Sequence, residues 1–107
     1  MNEHYATEEP RREDVDRLDG PTLIEFGSPY CGHCRRAQPL IAAAMAAHPS
    51  LRHLKIFDGP GQPLGRSFRV KLWPTLVFYA NGEEQARLVR PESTSDIAAA
   101  LAAIDPH

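Results

Sequence analysis

The segment that decides the fold of this chain is residues 29–34, which read Pro29-Tyr30-Cys31-Gly32-His33-Cys34. It holds both cysteines of the protein, separated by two residues. The apolar run at 22–26 before it is typical of a strand, and the alanine-rich run at 35–47 after it favours a helix. The pattern therefore predicts a strand that turns into a helix whose first turn carries both cysteines.

Cysteines at a helix N-terminus indicate redox chemistry. Free backbone N–H groups and the helix dipole at that end favour a thiolate over a thiol. Cys31 is the candidate nucleophile, and Cys34, about one turn further on, is the candidate resolving thiol that closes a disulfide with it. A protonated His33 between them would favour the thiolate and make the disulfide a stronger oxidant. The alternative for His33 is an exposed side chain with little influence.

Composition and charge restrict the class of protein. The chain has 107 residues, 42% hydrophobic and 24% charged, which suits one domain over 1–107. A formal net charge of −2 gives no reason to expect a nucleic-acid or membrane partner. No apolar run approaches the roughly 18 residues of a membrane span. The first 19 residues lack the basic start and apolar centre of a secretory signal, so we expect a cytoplasmic protein, unless this is a mature form restarted with Met.

The remaining pattern predicts an α/β fold, a mixed central sheet of about four strands with helices on both faces. Besides the elements above, we expect a helix at 11–18, strands at 51–57, 75–79 and 84–89, and helices at 64–70 and 96–104. Asn81-Gly82 predicts a tight hairpin between the last two strands, and Pro39 should kink the long helix. Residues 1–9 are expected to be a flexible tail or a short edge strand.

A zinc module is the alternative from another class of protein. The cysteine pair followed by His48 and His53 nearly fits the spacing of a Cys₂His₂ site. Pro49, however, lies between the two histidines, where a zinc finger has helix. We therefore expect no metal site, and interpret His48 as a cation at a helix C-terminus and His53 as a strand-surface residue.

Over about residues 20–105 the chain resembles the thioredoxin superfamily. The similarity rests on Glu25-Phe26, Cys31-Gly32-His33-Cys34, Pro39, Trp73-Pro74-Thr75 and Asn81-Gly82. The active-site segment is most similar to protein disulfide isomerases, whereas the size is similar to bacterial thioredoxins. The resemblance implies a thioredoxin fold and a thiol–disulfide oxidoreductase acting on protein disulfides, as a thioredoxin-like reductant. The alternatives are a disulfide oxidase or isomerase, and a redox-silent binding module.

The resemblance also implies roles for residues outside the motif. It places Glu25 beneath the cysteines as proton acceptor or donor for Cys34, and desolvation there should raise the pKa of Glu25 towards neutrality. It makes Pro74 a cis proline facing the disulfide. The backbone of Trp73 would pair with an extended substrate strand, and Trp73 and Tyr30 would form an apolar rim.

Three further positions and the partners complete these expectations. Gly32 is expected to contact substrate, and Arg90 to add charge to the binding face. Gly27 stands where thioredoxins often carry a tryptophan, so part of that packing should be missing. No organic cofactor or metal is expected, because the Cys31–Cys34 disulfide and dithiol carry the electrons. The expected partners are protein disulfides or dithiols and an outside reductase or small thiol, and we expect a monomer.

Overall fold

The computed structural model describes residues 3–106, which form four helices and four strands. In chain order they are α1 (Arg12–Asp16), β1 (Thr22–Gly27), α2 (Gly32–Met45), β2 (Arg52–Phe57), α3 (Pro63–Ser67), β3 (Thr75–Ala80), β4 (Glu83–Val89) and α4 (Thr94–Ile104). The predicted elements are confirmed in kind and order. Helices α1 and α3 are shorter than predicted, because few of their residues are buried. Helix α1 buries only Val15, and α3 buries only Leu64 and Gly65.

The four strands form one mixed sheet in the order β2-β1-β3-β4, which confirms the predicted sheet. Strand β1 runs parallel to β2 and antiparallel to β3, so it has a partner on each side. All six of its residues are buried. A strand enclosed in this way is a rigid support for the turn and the helix that follow it.

Alternation along β1 divides the interior into two layers. Leu23 packs in a cluster with α2 and α4, whereas Ile24 and Phe26 pack in a second cluster with α1 and α3. Helices therefore cover both faces of the sheet, as predicted. Successive strand residues point to opposite faces, so Glu25 shares the face of Leu23 and lies beneath α2.

The predicted hairpin turn and the predicted cap of the last helix are both present in the structure. Asn81 and Gly82 have φ angles of 55° and 76°, the left-handed pair that a tight two-residue hairpin requires. At the start of α4, the Oγ of Ser93 accepts a hydrogen bond from the backbone N–H of Asp96 at 3.2 Å, the usual geometry of a helix N-cap.

The N-terminal segment lies along the outer edge of β2. The backbone N–H of Ala6 donates to the carbonyl of Lys55 at 2.7 Å, and the N–H of Phe57 donates to the carbonyl of Ala6 at 3.0 Å. These two bonds make a single parallel bridge opposite Ile56. From Glu3 onwards the segment thus meets the sheet edge at this bridge, which places Tyr5 beside the cysteine helix.

Candidate active site

The two cysteines begin α2, and the helix gives each a different environment. Cys31 is the N-cap residue, and its Sγ accepts a hydrogen bond from the backbone N–H of Cys34 at 3.3 Å. Both are free thiols; Cys31 is partly exposed, whereas Cys34 is 1% exposed. An approaching disulfide can therefore reach Cys31, while Cys34 stays behind it.

These environments shift the pKa values of the two thiols in opposite directions. Burial raises the pKa of Cys31, but hydrogen bonds from Cys34 and the backbone N–H of His33 outweigh it, so the pKa lies below its ordinary value. The charge of Arg90 lowers it further. Burial, and secondly the neighbouring Cys31, raise the pKa of Cys34 to about 12. The geometry suits a thiolate nucleophile and a protonated resolving thiol.

The side chain of His33, which was expected to favour the Cys31 thiolate, contacts Arg36. It is exposed, and its Nδ1 lies 3.4 Å from Nη1 of Arg36, which donates to it. Its backbone N–H contributes to the low pKa of Cys31. A positive charge that lowers the pKa of Cys31 comes from Arg90, 59 positions later in the chain.

Glu25 is fully buried and is held by donors from two other elements. Nε2 of His53 donates to its Oε1 at 2.9 Å, and Nε2 of Gln38 donates to its Oε2 at 2.9 Å. Burial by itself raises the pKa of Glu25, but these bonds and the charges of His53 and Lys55 hold it below its usual range. The predicted rise in the pKa of Glu25 is therefore wrong, because desolvation was foreseen without the donors that offset it.

The donors around Glu25 form a chain that sequence reasoning missed. Nζ of Lys55 donates to Oε1 of Gln38 at 2.7 Å, and Nε2 of Gln38 also donates to the backbone carbonyl of Cys34 at 2.9 Å. The interpretation of His53 as a surface residue is wrong, because His53 is 5% exposed. The missed signal is the alternation of β2, in which His53 and Lys55 share one face, with Lys55 paired to Glu25 across the strands.

The predicted substrate face lies on the opposite side of Cys31. The Trp73–Pro74 peptide bond is cis, as predicted, and Sγ of Cys31 lies 4.0 Å from the carbonyl oxygen of Trp73. That oxygen accepts a hydrogen bond from Nε of Arg90 at 2.8 Å. The indole N–H of Trp73 donates to Oδ2 of Asp58 at 2.9 Å, which orients the ring. The structure thus brings these residues together around the exposed thiol.

The rest of this face is open. Tyr30 is 86% exposed and Gly32 is also exposed, beside the nucleophile. A groove of about 420 Å³ lies along α2 on this side, lined among others by His33, Leu40 and Arg90. The face carries both apolar surface and positive charge.

The space beside Gly27 is occupied by a residue that the sequence did not suggest. A Cβ on Gly27 would lie 2.7 Å from Sγ of Cys34 and 3.2 Å from the hydroxyl of Tyr5. The same hydroxyl lies 3.4 Å from Oε2 of Glu25, to which it donates. The packing expected to be missing at Gly27 is thus supplied from the N-terminal segment.

The histidines of the zinc alternative are engaged elsewhere. Nδ1 of His48 lies 2.8 Å from Oδ2 of Asp105, and His53 contacts Glu25. Within residues 3–106 no three His, Cys, Asp or Glu side chains are grouped so that they could hold a metal ion. Over the same residues no helix has the length and apolar character needed to cross a membrane.

The comparison with known proteins points to one family. The family model described as Thioredoxin matches residues 3–103. Among solved structures, thioredoxin 2 from Pseudomonas aeruginosa PAO1 in its reduced form is 53% identical, with a TM-score of 0.87 and coverage of 97% of this chain and 96% of that one. The thioredoxin of Pseudomonas aeruginosa is 29% identical over 104 residues, 94% of this chain and 96% of its own.

Disulfide isomerases match over a smaller share of their length. Protein disulfide-isomerase A2 from Pongo abelii is 35% identical over 97 residues, which are 71% of this chain and 18% of that protein. The chain therefore spans less than a fifth of this isomerase and nearly the full length of the two thioredoxins.

Proposed function

The chain belongs to the thioredoxin family, and we propose that it reduces disulfide bonds in other proteins through Cys31 and Cys34. Thiol–disulfide oxidoreductase activity of the thioredoxin type follows from the family and the cysteine pair. The observation that carries this mechanism is the difference between the two thiols at the start of α2, and the nearly full-length match to two thioredoxins supports the direction of reduction. Cys31 is accessible and favours the thiolate, whereas Cys34 is buried and protonated.

The reaction transfers two electrons in two exchanges. The Cys31 thiolate attacks one sulfur of the substrate disulfide, so a mixed disulfide forms and the other substrate sulfur leaves as a thiolate. Cys34 then loses its proton and attacks Sγ of Cys31. The bond between Cys31 and the substrate breaks, the second substrate thiolate leaves, and the Cys31–Cys34 disulfide forms. The substrate is reduced and the protein is oxidised.

The two thiols carry the electrons, so the reaction needs neither an organic cofactor nor a metal. An external reductase or a small thiol must return the disulfide to the dithiol. We assign the activity to the cytoplasm, where such reductants keep thiols reduced. We also propose that the protein acts as a monomer, because a substrate needs free access to Cys31.

The substrate would lie extended along the segment around Pro74, with Tyr30 on its apolar edge. A backbone N–H of such a peptide can bond the carbonyl of Trp73. Nε of Arg90 donates to the same oxygen at 2.8 Å, and the second lone pair of that oxygen remains for the peptide. Arg90 would then favour substrates with acidic residues near the disulfide.

The proposal is tested by the reduction of a protein disulfide, such as that of insulin, with dithiothreitol as the electron source. Cys31→Ala should abolish turnover. Cys34→Ala, reduced first and then freed of dithiothreitol, should stop after the first exchange and trap mixed disulfides, visible as an added substrate mass. Arg66→Ala, an exposed change on α3, serves as the control. Normal turnover by either cysteine variant would refute the mechanism.

A disulfide oxidase or isomerase is the second candidate, favoured by the 35% identity to protein disulfide-isomerase A2. The low pKa of Cys31 stabilises the reduced form, which also favours an oxidant. The reduction potential against glutathione separates the two functions. Potentials are about −270 mV for thioredoxin and about −180 mV for protein disulfide isomerase. A value near the first supports the reductant, and a value near the second supports the oxidant or isomerase.

A further inference from the structure

We propose that Tyr5 is a catalytic residue that carries the proton of Cys34 to Glu25 when the mixed disulfide is resolved. The inference rests on the proposed function, because the proton has to leave Cys34 only in that step. It adds a residue from the N-terminal segment to the group of side chains beneath Cys34, which otherwise come from α2 and the sheet.

The first argument is the position of the phenol oxygen. It lies 3.4 Å from Oε2 of Glu25, and it is near enough to Cys34 for hydrogen bonding to act to lower the pKa of that thiol. A Cβ placed on Gly27 would lie 2.7 Å from Sγ of Cys34 and 3.2 Å from this oxygen, so the two atoms border the same small space. The hydroxyl therefore connects the reacting sulfur to the buried carboxylate.

The second argument is that Tyr5 is held in this position. The backbone of Ala6 makes its two hydrogen bonds to β2 one residue further on. Nζ of Lys55 lies 4.6 Å from the centre of the phenol ring, a cation–π contact. Lys55 is itself fixed by Gln38 at 2.7 Å. A relay needs such fixed distances, because protons transfer only within hydrogen-bond reach.

The third argument concerns Gln38, whose side chain forms hydrogen bonds with both Glu25 and the backbone of Cys34. Its Nε2 donates to Glu25 and to the backbone carbonyl of Cys34, and its Oε1 accepts from Lys55. An amide N–H₂ group donates and does not accept a proton. Gln38 therefore cannot take the proton of Cys34, whereas a hydroxyl accepts and donates at the same time.

The proton transfer conserves atoms and charge. The thiol of Cys34 gives its proton to the hydroxyl of Tyr5, and the hydroxyl proton of Tyr5 passes to Oε2 of Glu25. Tyr5 is neutral before and after, Cys34 becomes the thiolate, and Glu25 becomes the neutral acid. The Cys34 thiolate then forms the bond to Sγ of Cys31, and the substrate thiolate leaves.

The groups around the hydroxyl of Tyr5 suit its role as a proton carrier. They are the titratable or charged side chains of Glu25, Cys34 and Lys55, with Glu3 and His4 on the same segment and lining the same pocket. Burial, and secondly the charge of Glu25, raise the pKa of Tyr5, so the phenol keeps its proton between transfers. The lowered pKa of Glu25 keeps it ionised at neutral pH, so it holds the proton only transiently.

The test uses Tyr5→Phe, which removes the hydroxyl and keeps the ring on Lys55. The reduced protein reacts with dithiobis(nitrobenzoate), which releases one coloured thiolate when Cys31 attacks and a second when Cys34 resolves the mixed disulfide. We expect the first phase to change by less than about twofold. The second should slow at least about tenfold, within the reach of general acid–base catalysis.

Tyr79→Phe is the matched control. It also removes a buried tyrosine hydroxyl, which bonds Asp16 and the carbonyl of Gly82, but it leaves the cysteines and their neighbours intact. Both phases should match the wild type. If Tyr5→Phe also leaves both phases unchanged, or slows both equally, the relay is wrong.

A second measurement tests the relay without that variant. The second phase of the wild-type protein in mixtures of H₂O and D₂O should show a curved dependence on deuterium content, because two protons move together. A linear dependence would contradict the relay. Failure of the proposed function looks different, since the wild-type protein would then not reduce a protein disulfide at all.

Discussion

Nε2 of His53 donates a hydrogen bond to Oε1 of Glu25 at 2.9 Å, and the two side chains are 2% and 0% exposed. The two residues lie on neighbouring parallel strands and face the cysteine helix. This contact explains why a carboxylate can stay ionised in an otherwise apolar layer. It also means that neither residue can be changed without consequences for the other.

Removal of His53 should destabilise the protein strongly. His53→Leu leaves the buried charge of Glu25 with fewer donors, and the loss of one member of such a buried pair typically costs about 3–5 kcal/mol. Urea unfolding of the reduced protein at neutral pH measures the effect. The double variant Glu25→Gln/His53→Leu should be less destabilised than the single variant, since its carboxamide carries no charge. Additive losses would show that the two side chains are not coupled.

The pH dependence of stability should carry the sign of a lowered Glu25 pKa. A carboxyl whose pKa is lower in the folded protein than in the unfolded chain stabilises the fold above the unfolded value, about 4.3 for glutamate. That contribution disappears as the pH falls through the folded pKa. We therefore expect wild-type stability to fall more steeply than that of Glu25→Gln between neutral pH and the acid range. The opposite trend would show that the pKa of Glu25 is raised.

Alkylation should distinguish the two cysteines. Iodoacetamide near neutral pH should modify Cys31 and leave Cys34 unmodified, because their pKa values are shifted in opposite directions. The rate at Cys31 should reach its midpoint below about pH 8.5, the ordinary thiol value. Arg90→Ala should move that midpoint upwards because it removes a nearby positive charge, while Arg66→Ala on α3 should not. An unchanged midpoint in Arg90→Ala would contradict the role of this arginine.

Gly27 should tolerate no side chain. In Gly27→Ala the new methyl group would meet Sγ of Cys34 at 2.7 Å and the hydroxyl of Tyr5 at 3.2 Å. Such overpacking typically costs about 1–3 kcal/mol. Gly59→Ala is the control, since its Cβ would make only an ordinary contact with Phe57 at 3.5 Å. Equal unfolding free energies for the two variants would show that the space beside Cys34 is not tight.

Most of the fold could be predicted because its signals are local. The apolar run of β1, the cysteine spacing at α2 and the Asn81-Gly82 turn are each read within a few residues. The predicted ends of helices were less accurate where few residues are buried, as at α1, whose only buried residue is Val15. Periodicity indicates an element there but does not determine where it ends.

The site was predicted in part. The positions of Cys31, Cys34, Glu25 and Pro74 follow from the motif and the resemblance. The direction of the Glu25 pKa shift could not be predicted, because the hydrogen-bond donors to Glu25 come from β2 and α2. Arg90 was expected to add charge to the binding face, but its hydrogen bond to the carbonyl of Trp73 joins residues 17 positions apart and has no local signal.

The sequence alone determined that a dithiol begins a helix after a buried strand, because strand, turn and helix signals are short-range. Only the tertiary structure decided how the proton and charge of that dithiol are managed. Tyr5, His53 and Arg90 reach the site from three distant parts of the chain. Sheet pairing and chain packing bring them together, and no local pattern records those contacts.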